Sequence, residues 1–232
     1  MTELAPRWPL GGWKRLGHAL ACVAAFELLQ GITFTVAFKL LHLSWADVGE
    51  GRVGLICWSA FQGGAIFVCV VWLAVVKAGR VSWRDLGWSA ESIGRSLGKG
   101  ALGALLLVAA VGGTQVLLGN TVAEIARTSL GYTAAQRALF VVIGLQAATV
   151  EESIFRGYLQ PALISKFGLV AGVLICAGLF GLLGTFMARP SALIFCSKFS
   201  VALVLGALRG RDRSLLAPML AHFVTWPVFG FM

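Results

Sequence analysis

The sequence contains little charge. Of its 232 residues, 12% are Asp, Glu, Lys or Arg, whereas soluble domains carry about 25%. Hydrophobic residues make up 58%, and the mean hydropathy is +0.86. This composition excludes an ordinary water-soluble domain, a disordered chain and a nucleic-acid-binding domain. It indicates that the protein lies in a lipid bilayer.

Metal-binding and nucleophile motifs are also missing. The chain has three histidines and five cysteines, with no CxxC pair and no Cys/His cluster at metal-ligand spacing. It has no HExxH zinc signature, no GxSxG nucleophile elbow and no phosphate-binding glycine-rich loop. We therefore expect no metal and no cofactor. The five cysteines lie in apolar stretches, where we expect small buried hydrophobic side chains.

Seven apolar segments approach the length of a membrane-spanning helix, which is about 20 residues. They are residues 16–41, 53–76, 97–118, 138–159, 169–187, 191–208 and 215–231. We predict an all-α, polytopic integral membrane helix bundle with about seven transmembrane helices, within a range of six to eight. Arg189–Pro190 gives the sharpest predicted break, because proline ends a helix. Residues 120–137 are interpreted as a loop, with a hidden half helix as the alternative.

The basic residues are distributed unequally between the two sets of loops. One set contains twelve Lys and Arg, and the opposite set contains five, namely Lys39, Arg52, Arg127, Arg137 and Arg189. The positive-inside rule therefore predicts a cytoplasmic N-terminus. We expect the protein to lie in the inner membrane of a bacterium.

The chain is predicted to form one membrane domain over residues 1–232. Residues 1–135 would supply N-terminal helices and a connector near 81–88, and residues 136–232 would form a core that carries a Glu-Glu-x-x-x-Arg sequence. The connector, VSWRDLGW, is amphipathic. Its Trp83 and Trp88 would suit the lipid headgroup region.

Two single charges lie inside the predicted spans. A charge at mid-bilayer costs about 2.5–3.5 kcal/mol on insertion scales, so it usually has a partner or a function. Glu27 lies in the first segment and Lys198 in the sixth. We expect the two to pair. The alternative is that they form the polar lining of a substrate cavity.

A cluster of three charges lies in the fourth segment, in the sequence Glu151-Glu152-Ser-Ile-Phe-Arg156. On a helix, Glu152 and Arg156 are four residues apart, share a face and can pair. Glu151 is rotated by about 100° and would remain free. A lone carboxylate in an apolar site can act as a base near neutral pH. The alternative is a buried ion pair that only fixes the positions of helices.

The sequence EESIFRGYLQ, which begins at Glu151, resembles the first motif of the CAAX protease and bacteriocin-processing (Abi) family. This family consists of polytopic glutamic intramembrane proteases and includes the type II CAAX prenyl endopeptidases. The resemblance extends over about residues 145–231, and it includes the segments 179–181 and 221–223. It implies an intramembrane endopeptidase.

The resemblance implies roles for four residues. Glu151 matches the glutamate that activates a water together with a histidine from a second motif, Phe-x-x-x-His. Glu152 and Arg156 match the rest of the first motif. His222 matches the histidine of a third motif, His-x-x-x-Asn, which would support the oxyanion. These four residues are the candidate catalytic set.

Two positions depart from the family pattern. Gly184 stands where the second motif has its histidine, and Trp226 stands where the third motif has its asparagine. Loss of one such group typically costs about 100- to 1000-fold in rate. We therefore expect an endopeptidase homologue that is slow or inactive and that acts on a membrane protein. The alternative is a non-catalytic membrane scaffold that binds a stoichiometric membrane partner.

Overall fold

The computed structural model describes residues 12–40, 42, 53–89, 93–117, 119–187, 191–211 and 214–229, and the regular structure within these ranges is helical. The helices are α1 Gly12–Leu40, α2 Val53–Ala78, α3 Trp83–Leu86, α4 Ile93–Leu117, α5 Val122–Gly131, α6 Ala134–Phe167, α7 Leu169–Met187, α8 Ala192–Arg211 and α9 Leu216–Phe229. The prediction of an all-α membrane bundle is confirmed. The predicted break at Arg189–Pro190 lies outside the described residues.

Helix length and surface chemistry both identify an integral membrane protein. Five of the described helices, α1, α2, α4, α6 and α8, are long and apolar enough to cross a bilayer, and α7 and α9 are apolar but shorter. Large apolar side chains cover the outside of the bundle; Leu105 is 69% exposed and Val170 is 72% exposed. A soluble monomer rarely exposes such continuous apolar surface, whereas lipid solvates it.

Helix α6 lies at the centre of the bundle. It is the most buried of the five long apolar helices. Its Phe155 and Tyr158 belong to a core that includes Phe26 of α1 and Val71 of α2. Helices α4, α8 and α9 form a second core around residues such as Leu205. The charged cluster on α6 is therefore placed in the interior of the protein.

The winding of α6 changes where it carries the two glutamates. The helix is π-helical over Ala147–Glu151 and again over Ser153–Leu159. In this form the backbone hydrogen bonds join residues five apart, and short π-helical stretches occur frequently at functional sites. The Glu-Glu-x-x-x-Arg sequence thus lies in a locally widened helix.

The connector near 81–88 packs against α2 and α6. It forms α3, which ends at Gly87 with a φ of 98°. The ring of Phe67 in α2 lies 5.9 Å from Trp83 and 6.1 Å from Trp88, between ring centroids. Trp88 Nε1 donates a hydrogen bond to Ser153 Oγ at 2.9 Å. The two tryptophans are thus part of the protein's packing, and their position in the headgroup region stays a prediction.

The loop interpretation of residues 120–137 is wrong, because a short helix lies within them, and the alternative of a re-entrant or half helix in the membrane stays a prediction. Helix α5 occupies Val122–Gly131, and none of its residues is buried. A capping box begins it, because Thr121 N–H donates to the Glu124 carboxylate at 2.7 Å and Glu124 N–H donates to Thr121 Oγ1 at 3.2 Å. The hydrogen bond from the Thr121 backbone lowers the pKa of Glu124 below its usual value.

The expectation for the cysteines is correct at two positions and wrong at three. Cys22 and Cys176 are buried, whereas Cys57, Cys69 and Cys196 are exposed on the outside of apolar helices. Cysteine is a small, weakly polar side chain, so both the core and a lipid-facing surface accept it.

Candidate active site

Glu152 is the centre of a buried charged cluster. Its Oε1 accepts a hydrogen bond from Arg156 Nη1 at 3.1 Å and lies 2.7 Å from His222 Nδ1. The side chains of Glu152, Arg156 and His222 are 0%, 1% and 3% exposed. The structure confirms the predicted Glu152–Arg156 pair. It also brings His222 of α9 to the same carboxylate oxygen.

The contact with Glu152 orients the His222 ring, because His222 Nδ1 lies 2.7 Å from Glu152 Oε1. Phe180 of α7 packs edge-on against the ring at 6.2 Å between centroids. The histidine is thus held in one orientation by α6 and α7.

Arg156 is held mainly by packing. Its Cζ lies 4.5 Å from the centroid of the Phe180 ring, which is within the range of a cation–π interaction. Glu152 Oε2 and the Nε and Nη2 atoms of Arg156 are buried without a hydrogen-bond partner. The hydrogen bonds of the Glu152 carboxylate go to Arg156 and His222. Because Glu152 is also fully buried, it is not available to a substrate.

Glu151 has a different environment. It lines a cavity of about 80 Å³ together with Gln30 of α1, Gln62 of α2 and Gln146 of α6. Holding one water takes roughly 10–15 Å³ of such space, so the cavity has room for several. The structure thus separates the adjacent glutamates, because Glu151 faces a space that admits water and Glu152 is enclosed in the core.

Two further polar groups line this cavity and were missed by the sequence analysis. Gln62 is buried, and its Nε2 donates to Thr33 Oγ1 of α1 at 2.7 Å. The Trp58 indole N–H is buried without a hydrogen-bond partner. For Gln62 the available signal was an amide in an otherwise apolar segment. For Trp58 no signal in the sequence distinguishes it from the other tryptophans.

The two positions that depart from the family motifs both contact Lys198 of α8. A Cβ atom placed on Gly184 would lie 3.3 Å from Lys198 Cγ and 3.4 Å from Lys198 Cδ. Lys198 Nζ lies 5.3 Å from the centroid of the Trp226 ring. Trp226 also lines the cavity that Glu151 faces. The side chain of Lys198 therefore extends from Gly184 to Trp226, at the edge of this cavity.

Glu27 lies on α1, where it lines a separate pocket with Leu28 and Gly31. Its pairing with Lys198 stays a prediction. Among the residues that the structure describes, there is no group of three His, Cys, Asp or Glu side chains that could hold a metal ion.

Residues 133–226 match the family model for Type II CAAX prenyl endopeptidase Rce1-like proteins. Over these residues the chain is similar to the CAAX protease family. The matched region includes α6, α7, α8 and most of α9, and it contains Glu151, Glu152, Arg156 and His222. No curated protein and no solved structure matches the chain. Residues 133–226 are thus similar to an intramembrane endopeptidase family.

Proposed function

We propose that the protein is a slow glutamic-type intramembrane endopeptidase in which Glu151 is the general base. The observation that supports this function is the difference between the two glutamates. Glu152 is bound to Arg156 and His222 inside the core, whereas Glu151 lines a cavity with room for water. Hydrolysis needs a carboxylate and a water at the same place, and Glu151 meets this requirement.

The proposed reaction uses few groups. The Glu151 carboxylate takes a proton from a water molecule, and the water oxygen attacks the carbonyl carbon of a peptide bond. The carbonyl electron pair moves to the oxygen, which can accept a hydrogen bond from the Trp58 N–H. The oxyanion then re-forms the carbonyl as the C–N bond breaks, and Glu151 returns the proton to the leaving nitrogen, so the products are a carboxylic acid and an amine.

The other candidate residues have a positioning role in this proposal. Glu152 joins Arg156 on α6 to His222 on α9, and this link holds α9 against the helix that carries Glu151. The substrate is a membrane-embedded protein, because most of the cavity surface is apolar. The low rate follows from Gly184 and Trp226, since each missing group costs about 100- to 1000-fold.

The test compares cells with the wild-type chain, cells without it, and cells with Glu151→Gln. We expect the same membrane-protein fragments to disappear in the deletion and in Glu151→Gln, when the new N- and C-termini of membrane proteins are quantified by mass spectrometry. Glu124→Gln is the matched control, because Glu124 is an exposed glutamate on α5. If all fragments persist in Glu151→Gln, the proposed activity is excluded.

A scaffold is the second candidate function, and it is favoured by the packing of Lys198 against Gly184 and Trp226. A scaffold would use the bundle to hold a partner membrane protein. In that case the deletion has a phenotype, Glu151→Gln behaves as wild type, and a stoichiometric partner copurifies with the chain. A partner-free preparation that restores normal function to deletion cells would contradict it.

A further inference from the structure

Three side-chain amides line the cavity that Glu151 faces. Gln30 lies on α1, Gln62 on α2 and Gln146 on α6, whereas most of the other lining side chains are apolar or aromatic. Burying an amide in apolar surroundings costs free energy unless the amide makes hydrogen bonds. Each of the three therefore needs a partner, either in the protein or in a ligand.

The hydrogen bond between Gln62 and Thr33 leaves one acceptor unused. The Thr33 hydroxyl donates its proton to backbone carbonyls of α1, at 2.8 Å from Leu29 O and 3.0 Å from Gln30 O. A hydroxyl has one proton, so Thr33 Oγ1 can only accept from Gln62, whose Nε2 lies at 2.7 Å. Gln62 Oε1 accepts no hydrogen bond from the residues that the structure describes, and it is left for a ligand.

The amides of Gln30 and Gln146 have no comparable contact. In the described part of the chain, neither side chain makes a hydrogen bond. Gln146 is positioned by packing, because a Cβ atom placed on Gly63 of α2 would lie 2.8 Å from Gln146 Cγ. A side chain at position 63 would therefore displace Gln146. Two complete amides and the oxygen of Gln62 thus remain for a ligand that both donates and accepts hydrogen bonds.

An extended peptide main chain has the complementary groups. Each residue except proline offers one N–H and one C=O, and a side-chain amide accepts from the first and donates to the second. In a regular membrane helix these backbone groups are bonded within the helix. A helical segment would leave the three amides without partners, whereas an unwound segment would bond to them.

We propose that Gln30, Gln62 and Gln146 form a subsite that binds the main chain of the substrate in an extended conformation next to Glu151. This inference rests on the proposed endopeptidase function, and it specifies the substrate class. The substrates are membrane proteins whose cleaved segment unwinds readily, because glycine or proline near the scissile bond weakens the helix. The amides bind the substrate and exchange no proton with it.

The first experiment compares the full-length wild-type chain with Gln30→Leu and Gln146→Leu in detergent micelles. The substrate is a synthetic peptide that spans a cleavage site identified from the fragments that Glu151→Gln removes. We expect each leucine to raise KM by about 2- to 12-fold, the range for one neutral hydrogen bond, and to leave kcat within about twofold of the wild-type value. The unfolding temperature should not fall, because neither amide is bonded to another described residue.

Gln115→Leu is the matched control. Gln115 is a buried amide of α4 that does not line the cavity, and its Oε1 accepts a hydrogen bond from Asn120 at 2.7 Å. This variant should lose thermal stability and keep the wild-type KM. A structural amide and a substrate-binding amide are thus expected to give opposite results.

Ester peptides test whether the amides bind the main chain. Replacing one amide near the scissile bond by an ester removes a single N–H and keeps every side chain. We expect one such ester to raise KM by about 2- to 12-fold in the wild type, and to have no further effect in the glutamine variant that has lost its acceptor. Replacing a glycine next to the cleavage site by alanine should slow cleavage about fivefold, because alanine stabilises the helix.

The outcomes separate the two proposals. If both leucine variants keep the wild-type KM while Glu151→Gln is inactive, the subsite is wrong and the endopeptidase function stands. If the leucine variants lose thermal stability as Gln115→Leu does, the amides are structural. If every ester peptide keeps the KM of the parent peptide, the amides do not bind the main chain. If Glu151→Gln cleaves the peptide, the proposed mechanism is excluded and the subsite with it.

Discussion

In the buried cluster of Glu152, Arg156 and His222, each charge is compensated by its neighbours in the cluster. Glu152 and Arg156 are almost fully enclosed, and three of their polar atoms have no hydrogen-bond partner. Removing one member of such a pair leaves an uncompensated charge in the core, which costs more than removing both. The cluster is therefore sensitive to single substitutions.

We predict that Arg156→Met lowers the free energy of unfolding by about 3–5 kcal/mol. The double variant Arg156→Met with Glu152→Gln should lose clearly less, because glutamine is neutral and can still bond to His222. Unfolding in detergent micelles, followed by tryptophan fluorescence, measures both variants. A double variant that is less stable than Arg156→Met would show that the buried charge is not the cause.

For contacts between single residues, the sequence predicts only those within one helix. The Glu152–Arg156 pair follows from their spacing of four residues. The contact between Glu152 and His222 joins residues 70 positions apart, and it depends on how α9 packs against α6. Nor does a spacing rule relate Lys198 to Gly184, because their contact arises from the packing of α8 against α7.

Among the elements, α6 and α7 approach each other closely at Gly172. A Cβ atom placed on this glycine would lie 2.7 Å from Ile164 N and 2.8 Å from Ile164 Cα. Backbone atoms cannot move aside as a flexible side chain can. The turn from α6 into α7 at Gly168 therefore requires glycine at 172 as well.

We predict that Gly172→Ala destabilises the protein by about 1–3 kcal/mol, as overpacking typically does. Gly178→Ala, on the same helix, is the matched control, because nothing lies within 4 Å of a Cβ at Gly178. This control should be neutral or slightly stabilising, since alanine is the better helix former. Thermal unfolding in detergent compares them, and equal losses in both variants would disprove the steric argument.

The sequence predicted the long elements well and the short ones less well. Apolar runs of about 20 residues indicate membrane helices without reference to the rest of the chain. Helix α5 has ten residues and no buried face, so hydropathy does not reveal it. Its signal in the sequence is the capping box of Thr121 and Glu124. The π-helical winding of α6 depends on packing and has no comparable signal.

For the whole molecule, we propose an orientation in the membrane from the unequal distribution of basic residues. Twelve Lys and Arg in one set of loops against five in the other favour a cytoplasmic N-terminus. With this orientation α5 lies outside the cell membrane, and the end of α6 lies in the cytoplasm. The inner membrane of a bacterium is the location that we propose.

Thiol labelling tests this orientation. We expect Ala126→Cys on α5 to react with a membrane-impermeant maleimide in intact cells, and Ser165→Cys near the end of α6 to react only after the membrane is disrupted. The parent chain should have its five cysteines replaced. The reverse labelling pattern would invert the proposed topology, and it would leave the internal arrangement of Glu151 and its cavity unchanged.

The π-helical winding of α6 also determines which side chains lie on the same side of the helix. Gln146 and Glu151 are five positions apart, and both line the cavity. In a regular α-helix, residues with this spacing point about 140° apart, whereas hydrogen bonds between residues five apart bring them to nearly the same side. Regular α-helical winding with every residue kept would turn the Gln146 amide away from the Glu151 carboxylate. The two polar groups therefore share one cavity because the helix is widened between them.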